Sequence, residues 1–156
     1  MSAVHRRSLA DAAATEALGA ALAGGMASGV VHLVGDLGAG KTTLVRGLLR
    51  ALGHEGAVRS PTYTLVEPYD AGGRRIYHVD LYRLGDPEEL AFIGLDDLFA
   101  PGVLTLLEWP QRGAGVLPRP DLEVTLEYVG GARRAEVCGI TPAGAAAVAK
   151  ISSCET

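Results

Sequence analysis

The sequence predicts an α/β fold, a three-layer sandwich whose mainly parallel central sheet carries antiparallel hairpin additions. Three observations predict it. A short β-branched run leads through a glycine-rich turn into a helical repeat across residues 30–52. Strand-like and helix-like stretches then alternate along the chain. Two β-rich pairs each close around a glycine pair, Gly72-Gly73 and Gly130-Gly131. With 156 residues and no repeat, low-complexity linker or compositional break, residues 1–156 are expected to form one domain. A chain of that length buries about two thirds of its unfolded surface, enough for a core without staples.

The elements run in order along the chain. Residues 9–23 are rich in Ala and Leu, with Leu9, Ala13, Ala17, Leu18, Ala21 and Leu22 at helical spacing and Gly24-Gly25 as the stop. Val30-Val31-His32-Leu33-Val34, bounded by Gly29 and Gly35, has the composition of a buried strand. Residues 42–52 repeat Leu44, Val45, Leu48, Leu49 and Leu52 on a helical period and end at Gly53. Residues 62–69 and 75–80 flank Asp70-Ala71-Gly72-Gly73 and predict an antiparallel hairpin. Asp86-Pro87-Glu88-Glu89-Leu90 is a helix start, with Asp as N-cap, Pro at the first helical position and acids in the first turn. Residues 103–107 are a further apolar strand. Residues 122–128 and 133–140 form a second hairpin, and Thr141-Pro142 opens a C-terminal helix made mostly of alanine.

Composition removes several function classes. The formal net charge is −4, whereas a free-standing nucleic-acid binder draws much of its affinity from a basic excess. Any RNA contact is therefore expected to come through a partner. Cys138 and Cys154 match no metal or redox spacing and build no disulfide framework, so a reducing compartment is expected. No apolar run approaches the ~18 residues of a membrane span. Arg6 and Arg7 precede no hydrophobic stretch, because Asp11 and Glu16 place charges there, so no signal peptide is expected. These features together predict a cytoplasmic protein.

Gly35-Asp36-Leu37-Gly38-Ala39-Gly40-Lys41-Thr42 satisfies G-x-x-x-x-G-K-[ST] in full. Its place between a predicted strand and a predicted helix is the context in which that pattern binds phosphate, and it makes the expected fold P-loop NTPase-like. Gly38 and Gly40 let the backbone turn so that successive N–H groups converge on phosphate oxygens. The helix N-terminus adds unpaired amides and the positive end of its dipole. Lys41 is expected on the β- and γ-phosphates, Thr42 on Mg²⁺, and Thr43 near the α-phosphate. Asp36, Leu37, Gly38, Ala39, Gly40, Lys41, Thr42 and Thr43 thus form the expected cofactor-binding loop. The only lysines are Lys41 and Lys150. A chain that otherwise uses arginine has its compact ammonium where a phosphate needs one.

Hydrolysis also needs an acid for the metal shell and a group to position water. Asp80 and Glu108 each follow a predicted strand, at the sheet edge where ligands of open α/β sheets sit. Neither sits in a standard Walker B context. Glu108, after the more apolar strand, has the better claim on the metal; which acid serves metal and which serves water stays open. Thr62, in Ser60-Pro61-Thr62-Tyr63-Thr64, suits a switch loop that closes on Mg²⁺ and γ-phosphate, or a rigid turn into a strand. Trp109 suits a nucleotide cover, a partner surface or a core anchor. His32 and His78 alternate with apolar residues and are read as structural. An Asn-Lys-x-Asp segment for guanine does not occur, which favours ATP.

Together with His78-Val79-Asp80-Leu81-Tyr82-Arg83-Leu84, Ser60-Pro61-Thr62-Tyr63-Thr64-Leu65-Val66-Glu67, Asp86-Pro87-Glu88-Glu89-Leu90 and Leu107-Glu108-Trp109-Pro110, the loop resembles the TsaE (formerly YjeE) family. The resemblance runs from about residue 30 to 128, with the motifs in the family's order. It implies a bacterial ATPase supporting synthesis of N6-threonylcarbamoyladenosine in tRNA. The implied partners are the transferase TsaD and its paralogue TsaB, with tRNA met only through that complex. The family does not transfer the group itself; its hydrolysis resets the transferase. By resemblance, Lys41 and its loop hold phosphates, Thr42 and Glu108 hold Mg²⁺, and Asp80 lies near metal or water. Thr62 and Trp109 fall in mobile segments. Val79 stands where the family often has an aromatic. Two other readings share the P-loop: a small-molecule kinase, recognisable by a phosphorylated product, and a nucleotide-sensing scaffold that never releases phosphate.

Overall fold

The computed structural model describes residues 3–36, 38–61 and 65–153. Among them run seven strands and four α-helices. The strands are β1 (Ala3–Leu9), β2 (Gly29–Val34), β3 (Val66–Ala71), β4 (Arg74–Asp80), β5 (Leu104–Glu108), β6 (Leu122–Val129) and β7 (Ala132–Gly139). The helices are α1 (Ala12–Gly25), α2 (Lys41–Ala51), the single-turn α3 (Leu95–Leu98) and α4 (Pro142–Ser153); 3₁₀ turns occupy Pro87–Phe92 and Pro110–Gly113.

All seven strands form one sheet in the order β1-β7-β6-β2-β5-β4-β3. The four central strands, β6, β2, β5 and β4, are parallel. The β3–β4 hairpin and the β6–β7–β1 ribbon add antiparallel pairs at the two ends. The fold is therefore the P-loop NTPase-like sandwich anticipated, including both hairpins. Pro68, which cannot donate to a ladder, is accommodated because β3 is an edge strand.

The N-terminus departs from expectation. Leu9 closes β1 instead of opening a helix, and α1 starts at Ala12 behind an Asp11 cap whose side chain accepts from the Ala14 amide at 2.9 Å. In β1 the period-two signal is scrambled: Val4 is exposed while His5 is buried. Its pairing with β7 supplies the stabilisation that its own pattern does not advertise. The segment after Asp86 is a 3₁₀ turn, with the Asp86 carboxylate accepting from the Glu88 amide at 2.9 Å.

Two apolar clusters cover the sheet. The larger joins Leu18 and Leu22 of α1, Leu44, Leu48 and Leu49 of α2, and Val148 and Ile151 of α4 to Val31, Leu33, Ile76, Leu104 and Leu106 of the strands. The smaller contains Val79, Leu81, Leu84, Leu90, Leu98 and Leu107. Alternate residues of one strand face opposite ways. Ile76 against Val79, and Leu106 against Leu107, thus assign the clusters to opposite faces. No helix among the described residues is long and apolar enough to cross a membrane.

Candidate nucleotide site

Three strand ends meet in register. Leu33 of β2 pairs with Glu108 of β5, and Glu108 pairs with Asp80 of β4. The chain leaves β2 one residue later and enters the glycine-rich loop, so the loop and both acids share the carboxyl edge of the sheet. Gly38 and Gly40 adopt φ of 80° and 110°, backbone open to glycine at little cost. At Gly35 a Cβ would lie 2.5 Å from the Leu126 carbonyl oxygen, so the loop passes too close to β6 for any side chain. Ala39 is buried and its amide donates to the Asp36 carbonyl at 3.0 Å. Asp36 itself is exposed, and Leu37 lies outside the described residues.

α2 begins directly behind this turn. Its N-cap, Gly40, offers no side chain to the first-turn amides, which leaves them to an external acceptor. Lys41 is buried, and its ammonium donates to the Gly35 carbonyl at 2.6 Å. The same ammonium lies 3.6 Å from Glu108 Oε1 and 4.3 Å from the centre of the Trp109 ring. The other Glu108 oxygen, Oε2, is 2.5 Å from His78 Nε2. Asp80 is buried; its Oδ1 accepts from the Tyr82 amide at 2.9 Å. Burial holds the Asp80 carboxyl above the ordinary carboxylate range against the Tyr82 hydrogen bond, and the nearby Glu108 charge pushes the same way.

A cleft of about 370 Å³ joins these groups, with Gly38, Gly40, Lys41, Thr42, Thr43, Asp80 and Glu108 on its wall. The structure thus brings together the loop, both threonines and both acids. Trp109 does not line the cleft; it is half-buried behind Lys41, its ring tilted at 49° to that of Tyr82 with the centres 4.9 Å apart. It takes a left-handed backbone, φ 58°, a conformation costing an L-residue about 1–2 kcal/mol, and that turn directs the indole onto Lys41. Thr62 lies outside the described residues. His32 is placed as a core residue in β2, and burial pushes its imidazole pKa down.

Two contributors, His78 and Tyr128, were not read from the sequence as site residues. His78, two residues before Asp80 on the same face of β4, contacts Glu108. Arg133 of β7 reaches back over the loop, donating to the Gly38 carbonyl and the Tyr128 hydroxyl, both at 3.3 Å. The Tyr128 hydroxyl also donates to the Gly38 carbonyl. The only forward sign of His78 was its parity with Asp80; Tyr128 stands near the end of β6, whose place beside the loop no local motif encodes.

The donor set fits a magnesium nucleotide. Among the described residues no three His, Cys, Asp or Glu side chains cluster to hold a metal by themselves. A hydroxyl and one or two carboxylates beside a phosphate cradle suit Mg²⁺, which takes most of its shell from water and substrate phosphates.

Fold and edge together define a P-loop NTPase-like protein. A family model described as threonylcarbamoyl adenosine biosynthesis protein TsaE matches residues 9–135. The chain is 53% identical over 115 residues to the tRNA threonylcarbamoyladenosine biosynthesis protein TsaE of Haemophilus influenzae, covering 74% of this chain and 73% of that one. It is 40% identical over 136 residues to the protein of the same name from Nostoc sp., covering 83% and 82%. The crystal structure of Bacillus subtilis YdiB is similar along 100% of this chain and 99% of its own, with a TM-score of 0.85 at 26% identity. The chain belongs to the TsaE family.

Proposed function

We propose that this chain is a cytoplasmic P-loop ATPase that binds Mg·ATP in the loop cleft. Its hydrolysis serves formation of the threonylcarbamoyl group on the adenosine beside the tRNA anticodon, in concert with a TsaB–TsaD-type transferase pair. The observation that carries the ATPase reading is the meeting of Lys41 with Glu108 at 3.6 Å, with Asp80 in register on the next strand. The family membership carries the pathway.

In this reading the loop amides and the uncapped first turn of α2 hold the phosphates, and Lys41 exchanges its contact with Glu108 for the β- and γ-phosphate oxygens. Thr42 and Glu108 are the groups that would hold Mg²⁺, with Asp80 beside them. When bound, the metal neutralises charge developing between the β- and γ-phosphates. Asp80, whose carboxyl burial makes a better proton acceptor than an ordinary carboxylate, suits the orientation of the attacking water. Thr62 would close on the γ-phosphate, and Trp109, over Lys41, would exclude solvent. Contact with tRNA comes through the transferase pair, a reading that the net charge of −4 supports.

Phosphate release measured with and without the transferase pair and tRNA tests this. The expected outcome is slow release alone, faster turnover in the complex, and loss of about 10²-fold or more in Lys41→Ala and Glu108→Ala. Threonylcarbamoylation should fail in both variants. Full activity of the Lys41→Ala chain would overturn the ATPase assignment. A phosphorylated small molecule would instead mark a kinase.

A further inference from the structure

We propose that His78 is a positioning residue that decides which oxygen of Glu108 faces the cleft; the inference rests on the nucleotide reading above. The two oxygens of this carboxylate are divided between two partners. Oε2 meets His78 Nε2 at 2.5 Å, and Oε1 lies 3.6 Å from the Lys41 ammonium at the cleft wall. A carboxylate only accepts, so Nε2 is the donating nitrogen of the ring.

Register explains why histidine can do this. His78 pairs with Leu106 and Asp80 pairs with Glu108. Alternate strand residues share a face, so His78 sits one same-face step behind the acid pair and reaches Glu108 from the core side. It is fully buried, and its Nδ1 is buried with no hydrogen-bond partner among the described residues. A histidine kept for packing alone would be replaceable by leucine, with no unmatched nitrogen. Among the described residues, the one hydrogen bond of this ring is with Glu108.

The consequence is geometric. With Oε2 held, Glu108 turns a single oxygen toward Lys41 and the metal side. With Oε2 released, the carboxylate is free to rotate and to present both oxygens to Lys41, competing with the cation for them. Hydrogen-bond partners behind metal ligands commonly carry a 10–100-fold share of affinity. The same order is expected here.

The test is equilibrium titration of ATP, with and without Mg²⁺, on the full chain. Native protein, His78→Leu, His78→Gln and Lys41→Ala are compared, with thermal melting to establish folding. In His78→Leu the Mg²⁺ concentration for half-saturation should rise about 10–100-fold, a larger change than any in the metal-free ATP affinity. His78→Gln, whose side-chain amide reaches as far as the imidazole Nε2, should restore most of the native requirement. Adding His78→Leu to Glu108→Ala should cause no further loss, since the histidine acts through that carboxylate. Should the leucine chain not fold, His78→Asn, whose amide stops short of Glu108, takes its place with the same expected shift. A folded chain lacking the donor but keeping the native Mg²⁺ requirement would overturn the inference, as would a further loss in the Glu108→Ala background. Failure of the nucleotide reading shows elsewhere: in native chain that does not bind ATP, or in Lys41→Ala that binds it unchanged.

Discussion

The two faces of the sheet are built differently from the same strands. One is covered by α1, α2 and α4, packed on a continuous apolar cluster that includes Leu18, Leu44, Leu48, Leu104 and Leu106. The other is covered by 3₁₀ turns and the single turn of α3, over six buried residues. Phe92, in one of those turns, is 92% exposed. Lys41 comes from the thick face; Trp109 packs against the thin one. The cleft lies where they meet. The difference teaches a division of labour. The glycine-rich loop is anchored in the half with the larger core, while Trp109 beside it packs against the half with fewer buried residues. Low local stability is where opening motions are drawn from.

A matched pair of truncations breaks or sharpens that division. Leu48 on α2 and Leu90 in the Pro87–Phe92 turn are both essentially unexposed. Leu→Ala in a packed core costs about 2–5 kcal/mol. For Leu48→Ala the whole loss should appear as a lower melting temperature, with amide protection falling throughout α1 and α2. For Leu90→Ala the melting temperature should fall less, and protection should be lost first across residues 84–98. Equal melting losses with uniform loss of protection would show one cooperative unit and end the comparison.

The thick face also depends on two glycines. A Cβ at Gly19 would lie 2.0 Å from the Leu44 carbonyl oxygen, and one at Gly47 2.1 Å from that of Glu16. Each clash is with backbone, so α1 and α2 must separate. Overpacking of this kind costs about 1–3 kcal/mol, set against a gain of up to ~1 kcal/mol in helix propensity. Gly19→Ala and Gly47→Ala should each lower the melting temperature by a few degrees, on the scale of about 2–4 °C per kcal/mol at this size. The double variant should lose less than the sum, since one displacement relieves both contacts. Strict additivity in thermal melts would mean the helices yield independently.

The same contrast governs what the sequence revealed. β2, the loop and α2 were legible because their signals are local: a β-branched run, glycines at fixed offsets, a helical period. The hairpins were legible from Gly72-Gly73 and Gly130-Gly131, which supply the positive φ their turns use. Asp80 and Glu108 were legible as strand-end acids, but the partner of each was not. That Glu108 is held by His78 depends on β4 lying beside β5 in one particular register, which no local pattern states. β1 was missed because its buried positions include His5 while Val4 faces solvent, so pairing with β7 overrides its own pattern. Tyr128 reaches the loop from the end of β6, and Arg133 only through the return of the β6–β7 hairpin.

The smallest expected effect lies on the boundary between the two faces. Asp80 is buried at the strand end, and burial, with Glu108 adding to it, raises its carboxyl above the ordinary value of 3.8 despite the Tyr82 amide, His78 and Lys41. Between the ordinary carboxylate value and the raised one, the folded chain therefore holds a proton that the unfolded chain has released. Stability contributed by this group falls as pH rises from the ordinary carboxylate value through the raised one, and stays at the lower level above it. Asp80→Asn keeps an oxygen for the Tyr82 amide and removes the buried charge. Without Mg²⁺, its melting temperature should exceed that of the native chain by about 1–3 °C at neutral pH. The two should converge as pH drops below the ordinary carboxylate value. A lower melting temperature at neutral pH would mean that Lys41 and His78 over-compensate the burial of Asp80. The cleft edge would then be a stabilised part of the fold, and the strain would lie on the thin face alone.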